Sequence, residues 1–176
     1  MIFDASLAGR SALLAGAGLV RFAVPKSILP IASSIEPSFT TIPLPEDNEG
    51  RISSKAINII LDIVKDNDVI AIGPGLGTSR ELRSVIEALL EQNDLKLVID
   101  ADGLNNLATI KNWYKKLKAK LILTHHPGEM KRLWSGLFRE PIPENRQELA
   151  IKMAAETRSI IVLKGSGTIV TDSKKI

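Results

Sequence analysis

The sequence predicts an α/β domain with a mostly parallel central sheet flanked by helices on both faces. Three observations predict it. Short runs of β-branched and aliphatic residues alternate with longer segments whose apolar residues recur at helical spacing. Strands alternating with helices join by right-handed crossovers, which favours parallel pairing. Four of the runs end in glycine-rich or polar loops: Gly73-Pro-Gly-Leu-Gly77, Asp100-Ala-Asp-Gly-Leu-Asn105, Thr124-His-His-Pro-Gly-Glu129 and Lys164-Gly-Ser-Gly-Thr168. Ligands of open parallel sheets bind outside the carboxyl ends of the strands. The four loops are therefore expected to share one site.

The elements follow in order. Residues 5–17 are rich in Ala and Leu and predict a helix ended by Gly16 and Gly18. Leu19–Val24 reads as a strand. Pro25 suits the opening of a short helix, because the first turn does not use the donor it lacks. Pro37, Pro43, Pro45 and Gly50 make 36–50 an irregular connection with one edge strand about Thr40–Ile42. Ser53 or Ser54 is placed to cap a helix bearing Ile57, Ile60, Leu61 and Val64. Val69–Ile72 is a strand. Residues 79–92 predict a helix with Leu82, Val85, Ile86, Leu89 and Leu90 inward, capped by Ser79 or Thr78. Leu97–Ile99 is a strand, and the next helix begins near Gly103, with Asp102 as its expected cap. Leu121–Leu123 is a strand. A helix starts over Pro127–Trp134, and another covers about 144–157. Ile160–Leu163 and Thr168–Thr171 are the last strands, with a turn signal at Asp172-Ser173.

Composition sets the class. The 176 residues fit one domain, and 44% hydrophobic with 24% charged residues is ordinary for a soluble chain. A net charge of +3 with 4% aromatics supplies neither a phosphate-binding stripe nor a base-stacking platform, so no nucleic-acid partner is expected. The chain has no cysteine, which excludes disulfides and thiolate metal sites. No apolar stretch approaches the ~20 residues that span a bilayer. The first residues lack a signal-peptide pattern. A cytoplasmic protein without a membrane partner is expected.

Each loop has a chemistry and a plainer alternative. Gly73–Gly77 lets the backbone turn sharply and approach a ligand, or simply joins a strand to a helix. It is neither G-x-G-x-x-G nor a P-loop. Asp100 suits a ribose hydroxyl or a magnesium-bound water. Pro127 fits the first helical position, so His126 falls at the cap and Glu129 in the first turn, where the dipole favours a carboxylate. Glu129 there can hold a magnesium–water shell over phosphates, and His126 can donate to a substrate oxygen. Both histidines of the chain lie in this loop. Adjacent histidines diverge and no third ligand is evident, which argues against zinc. The N–H groups of Lys164–Thr168, with Lys164 and Thr168 themselves, can hold phosphates as a nest does, or form an ordinary hairpin.

Together these loops resemble those of the ADP/ATP-dependent NAD(P)H-hydrate dehydratase family of the ribokinase-like superfamily. The run Leu123-Thr-His-His-Pro-Gly-Glu-Met130 followed by Leu133 carries most of the resemblance, which extends to Ala15-Gly-Ala-Gly-Leu-Val20 and over nearly the whole chain. It implies use of ADP or ATP, with Mg2+, to remove water from hydrated NADH or NADPH by phosphorylating the ring hydroxyl and losing phosphate. It also implies roles. Gly75, Gly77 and His126 would face the hydrated nicotinamide, with Asn105 and Asp100 in support. Lys164, Gly165, Ser166, Gly167 and Thr168 would hold nucleotide phosphates, and Glu129, with Asp100, would organise magnesium. A related small-molecule kinase and a non-catalytic nucleotide-binding module are the alternatives.

The chain departs from the family pattern at three places. His125 stands where the family has Pro, and Phe3-Asp4 stands where a Gly-Ala pair is expected. No Gly-x-Gly-Asp loop, which would supply the anion hole and catalytic Asp, occurs in these residues. No catalytic base is assigned. Both ends read as cut, so the ribokinase-like domain is expected to be incomplete. Exposed edges pair readily with other chains, and a homo-oligomer is expected.

Overall fold

A computed structural model describes residues 2–176. The amino-terminal part carries a two-stranded sheet of its own, although Leu44, Ala23 and Ile42 pack with the main core. Helix α1 (Ile2–Leu14) starts and stops three residues before the expected bounds. The backbone turns out of it through Gly16 at φ +103°. Strand β1 (Arg21–Pro25) pairs in parallel with β2 (Thr40–Leu44). Helix α2 (Leu29–Ile35) connects them. Pro25 closes β1 rather than opening a helix; a 3-10 turn over Lys26–Ile28 precedes α2. Phe22, Val24, Ala32 and Phe39 form a second, smaller core cluster, with the Phe22 and Phe39 rings 5.3 Å apart.

The main sheet has five strands in consecutive order: β3 (Ile70–Ile72), β4 (Lys96–Asp100), β5 (Lys120–His125), β6 (Ile160–Leu163) and β7 (Ile169–Thr171). The first four are parallel, and β7 returns antiparallel to β6. Helix α3 (Ile57–Val64) precedes β3 after a 3-10 turn over Ser54–Ala56. Helix α4 (Arg80–Leu90) links β3 to β4, α5 (Ala101–Leu107) links β4 to β5, and α6 (Pro127–Leu137) and α7 (Arg146–Thr157) link β5 to β6. Between α5 and β5 a 3-10 turn over Trp113–Lys115, which has no periodic signature in the sequence, buries Trp113.

With the right-handed connections general to parallel strands, consecutive order places these linking helices on one face of the sheet, so they supply one of the two helical layers the sequence predicts. Burial follows that geometry. Leu97, Ile99, Leu121, Leu123, His125, Ile161 and Leu163 are buried, while the alternate residues Val98, Ile122, Thr124 and Val162 are half-buried. The five apolar residues of α4 expected to face inward are all buried in the main core. Among the described residues no helix is long and apolar enough to cross a membrane.

Candidate functional site

Parallel, in-register pairing of β3 through β6 brings the four strand-end loops to one edge of the sheet. The register pairs Asp100 with Thr124 and His125 with Leu163, so polar strand ends lie side by side. Two surface cavities, of about 650 and 710 Å³, open elsewhere around residues such as Asn93, Lys96, Lys120 and Ile160, and neither includes a loop residue.

The first loop leaves β3 at Gly73, where φ is +135°. Helix α5 then holds it. The N–H of Gly77 donates to Asp102 Oδ2 at 2.9 Å. The Gly77 carbonyl accepts from Asn106 Nδ2 at 2.8 Å, and the N–H of Ser79 donates to Asn106 Oδ1 at 3.2 Å. Arg51 Nη1 donates to the carbonyl of Thr78 at 3.2 Å. Ser79 caps α4 by accepting from the N–H of Leu82 at 3.0 Å. Asn106 is buried and spans both sides of the loop. Asn106→Leu strands a carbonyl and an N–H, so it is expected to lower the free energy of unfolding by roughly 2 kcal/mol. Urea unfolding with an unchanged slope would show it; an unmoved midpoint would contradict it.

Helix α5 begins two residues earlier than the sequence suggests. Its cap is Asp100, not Asp102. Asp100 Oδ1 accepts from the N–H of Ala101 at 2.8 Å and from Lys164 Nζ at 2.7 Å. Burial works against this carboxylate, but the hydrogen bonds from Lys164 and Ala101 and the Lys164 charge outweigh it. They hold Asp100 below the usual carboxylate range. Asp102, freed from capping, binds Gly77 and accepts from Asn105 Nδ2 at 3.2 Å. The Asn105 Oδ1 is buried without a partner among the described residues.

His126 caps α6 as expected. Its Nδ1 accepts from the N–H groups of Gly128 at 2.9 Å and Glu129 at 3.4 Å, so that nitrogen carries no proton. Glu129 Oε2 reciprocally accepts from the His126 N–H at 2.8 Å, completing a capping box. His126 Nε2 lies 3.3 Å from Glu129 Oε1. Glu129 is buried, whereas the His126 side chain is half exposed. His125 points the other way. It is fully buried, and neither ring nitrogen has a partner among the described residues. Burial, aided by the Lys164 charge, pushes its imidazole down to about 4. It is neutral at physiological pH.

The last loop starts where the Lys164 N–H donates to the His125 carbonyl at 2.8 Å. Arg146, the first residue of α7, donates to four carbonyls at the base of this loop: Ser166 at 2.6 Å, Gly167 at 3.1 Å, Lys164 at 3.2 Å and Leu163 at 3.3 Å. Thr168 Oγ1 donates to the Gly165 carbonyl at 3.4 Å.

The site thus joins Asp100 to Lys164 and closes His126 on Glu129. No hydrogen bond or ion pair among the described residues links these two pairs. Magnesium takes octahedral oxygen donors, commonly one or two carboxylates completed by phosphates and water. Asp100 is engaged by Lys164 and Glu129 by His126, and no group of three candidate ligands occurs among the described residues. As arranged, the two carboxylates do not fit direct coordination of the ion.

Asn106, Arg51 and Arg146 are the residues that sequence reasoning missed, while Asp102, expected as a cap, instead holds the Gly77 N–H. For Asn106 the signal is slight, because it neighbours Asn105 in a polar run. For Arg146 it is clearer, because a cation in a helix's first turn opposes the dipole.

A family model described as NAD(P)H-hydrate dehydratase matches residues 4–175. The bifunctional NAD(P)H-hydrate repair enzyme Nnr of Moorella thermoacetica is 39% identical over 165 residues, which are 94% of this chain and 31% of the relative. The ADP-dependent (S)-NAD(P)H-hydrate dehydratase of Bacillus subtilis is 32% identical over 161 residues, covering 91% of this chain and 55% of the relative. A crystal structure of the ADP/ATP-dependent NAD(P)H-hydrate dehydratase from Bacillus subtilis, co-crystallised with ATP/Mg2+ and soaked with CoA, matches with a TM-score of 0.74 at 27% identity. That match covers 99% of this chain and 58% of the other. The chain therefore spans 31% of the bifunctional relative and 55% of the single-function one.

Proposed function

We propose, because the chain belongs to the NAD(P)H-hydrate dehydratase family, that it serves the ADP- or ATP-dependent dehydration of hydrated NADH or NADPH. The observation that carries this reading is the Lys164–Asp100 pair at the head of a glycine loop. It fixes a cation beside backbone N–H groups at a strand end, where a nucleotide phosphate is stabilised. Lys164, Gly165, Ser166, Gly167 and Thr168 take the phosphates. Gly75, Gly77, Asn105 and His126 take the hydrated nicotinamide. Magnesium arrives on the nucleotide phosphates rather than in a protein cage.

Phosphoryl transfer to the ring hydroxyl needs a group that accepts the hydroxyl proton. His125 is buried, His126 is closed on Glu129, and Asp100 is held by Lys164. The chain is therefore read as binding both reactants while turning over weakly by itself. A coupled assay of hydrated NADH with ADP or ATP, run beside calorimetry, tests this. ADP binding with slow phosphate release is expected, and Lys164→Met should weaken ADP about tenfold by removing a charge-assisted contact. Turnover at full family level would overturn the weak-activity part. Failure to bind ADP would overturn the nucleotide assignment, and a stable phosphorylated product would make the protein a kinase.

A further inference from the structure

An arginine at the amino end of a helix faces the positive pole of the dipole and is disfavoured there. Arg146 nevertheless opens α7, directly after its cap Asn145. Its compensation is the set of carbonyls of Leu163, Lys164, Ser166 and Gly167, all accepting from its two terminal nitrogens. Arginine has five donors in a rigid fork and no acceptor, so one side chain can gather several carbonyls at one point.

Gathering those carbonyls fixes the direction of the peptide groups between them. Gly165 at φ +146° and Gly167 at φ +70° allow the required reversals. The N–H groups of Gly165, Ser166 and Gly167 have no protein acceptor among the described residues. A run of N–H groups directed away from a cation-bound row of carbonyls forms a concavity that suits an anion. The guanidinium also neutralises the carbonyl dipoles that would otherwise face a phosphate. Contact is close: a Cβ on Gly165 would lie 2.8 Å from Arg146 Nη2.

We propose that Arg146 is the positioning residue of the phosphate loop, drawing the carbonyls of Leu163, Lys164, Ser166 and Gly167 inward so that the intervening N–H groups face the nucleotide. The inference rests on the assignment of this loop to nucleotide phosphates. Calorimetric titration of the full chain with ADP, and with adenosine in competition, tests it. Arg146→Lys offers three donors without the fork and should weaken ADP about tenfold; Arg146→Ala should weaken it about a hundredfold. Adenosine affinity should stay within about twofold, because no phosphate contact is involved. The lysine variant keeps the test open if the alanine variant does not fold. Equal loss for ADP and adenosine indicates a general structural role and overturns the proposal. Unchanged ADP affinity in Arg146→Lys, with the wild-type protein binding normally, overturns it alone. Absence of ADP binding by the wild-type protein overturns the nucleotide assignment and this proposal with it.

Discussion

Gly73→Ala is expected to destabilise the protein by about 4 kcal/mol, or to prevent its folding, which is the largest effect of any single methyl group in the site. The reason is steric and local. An added Cβ would sit 1.8 Å from the carbonyl oxygen of Asp100, 2.8 Å from its carbon and 3.0 Å from the N–H nitrogen of Gly103. All three are backbone atoms, so no rotamer change relieves the clash. The backbone at φ +135° adds strain for any L side chain. Relief requires β3 and the start of α5 to separate. That movement would also break the Gly77–Asp102 and Gly77–Asn106 hydrogen bonds. Urea unfolding of a soluble variant, or its recovery only from the insoluble fraction, would show the effect. A Gly73→Ala protein as stable as wild type would contradict it. Gly16→Ala is a control for the backbone strain alone, because φ there is +103° and nothing lies within 4 Å of a Cβ.

The second large effect is a dependence on pH set by His125. Its folded-state value is about 4 against 6.5 in the free side chain, because burial penalises the cation and Lys164 adds repulsion. Between those values the unfolded chain binds a proton that the folded chain refuses. Stability from this group is therefore complete above about pH 6.5 and is lost as pH falls towards 4, by roughly 3 kcal/mol in all. Asp100 is also shifted down, so its contribution is lost at lower pH, below the ordinary carboxylate value. The two windows separate. Urea unfolding of wild type and His125→Leu across pH 7 to 4 reads the difference: the leucine variant should lose the slope in this window. Identical slopes would assign the pH response to other groups.

Much of this architecture is legible in the sequence because it is periodic. Helix α4 places Leu82, Val85, Ile86, Leu89 and Leu90 inward, as 3.6-residue spacing requires. Strand β5 alternates with period two, so Leu121 and Leu123 already imply that His125 turns towards the helices. What the sequence does not show is a choice between equivalent neighbours. Asp100 and Asp102 have the same capping chemistry, and only the arrival of Lys164 from a strand 64 positions along the chain assigns Asp100 as cap. Asn105 and Asn106 differ by one step of helix rotation, which decides that Asn106 clasps the glycine loop. Glu129 was assignable to the first turn of α6, but its engagement with His126 depends on rotamers that spacing does not fix. The early end of α1 reflects the backbone reversal at Gly16.

The order of strands in the main sheet has a kinetic consequence. Each of β4, β5, β6 and β7 pairs with the strand immediately before it in the chain. No pairing in that sheet must wait for a segment made much later, and each new closure spans one helical crossover or one hairpin. Loop-closure entropy rises only slowly with length, while folding slows as native contacts become more distant in sequence. A sheet ordered this way can grow from one side, each strand docking on an edge already formed. The loop between β6 and β7, which carries Lys164 to Thr168, would then be shaped only after β4 and β5 have docked.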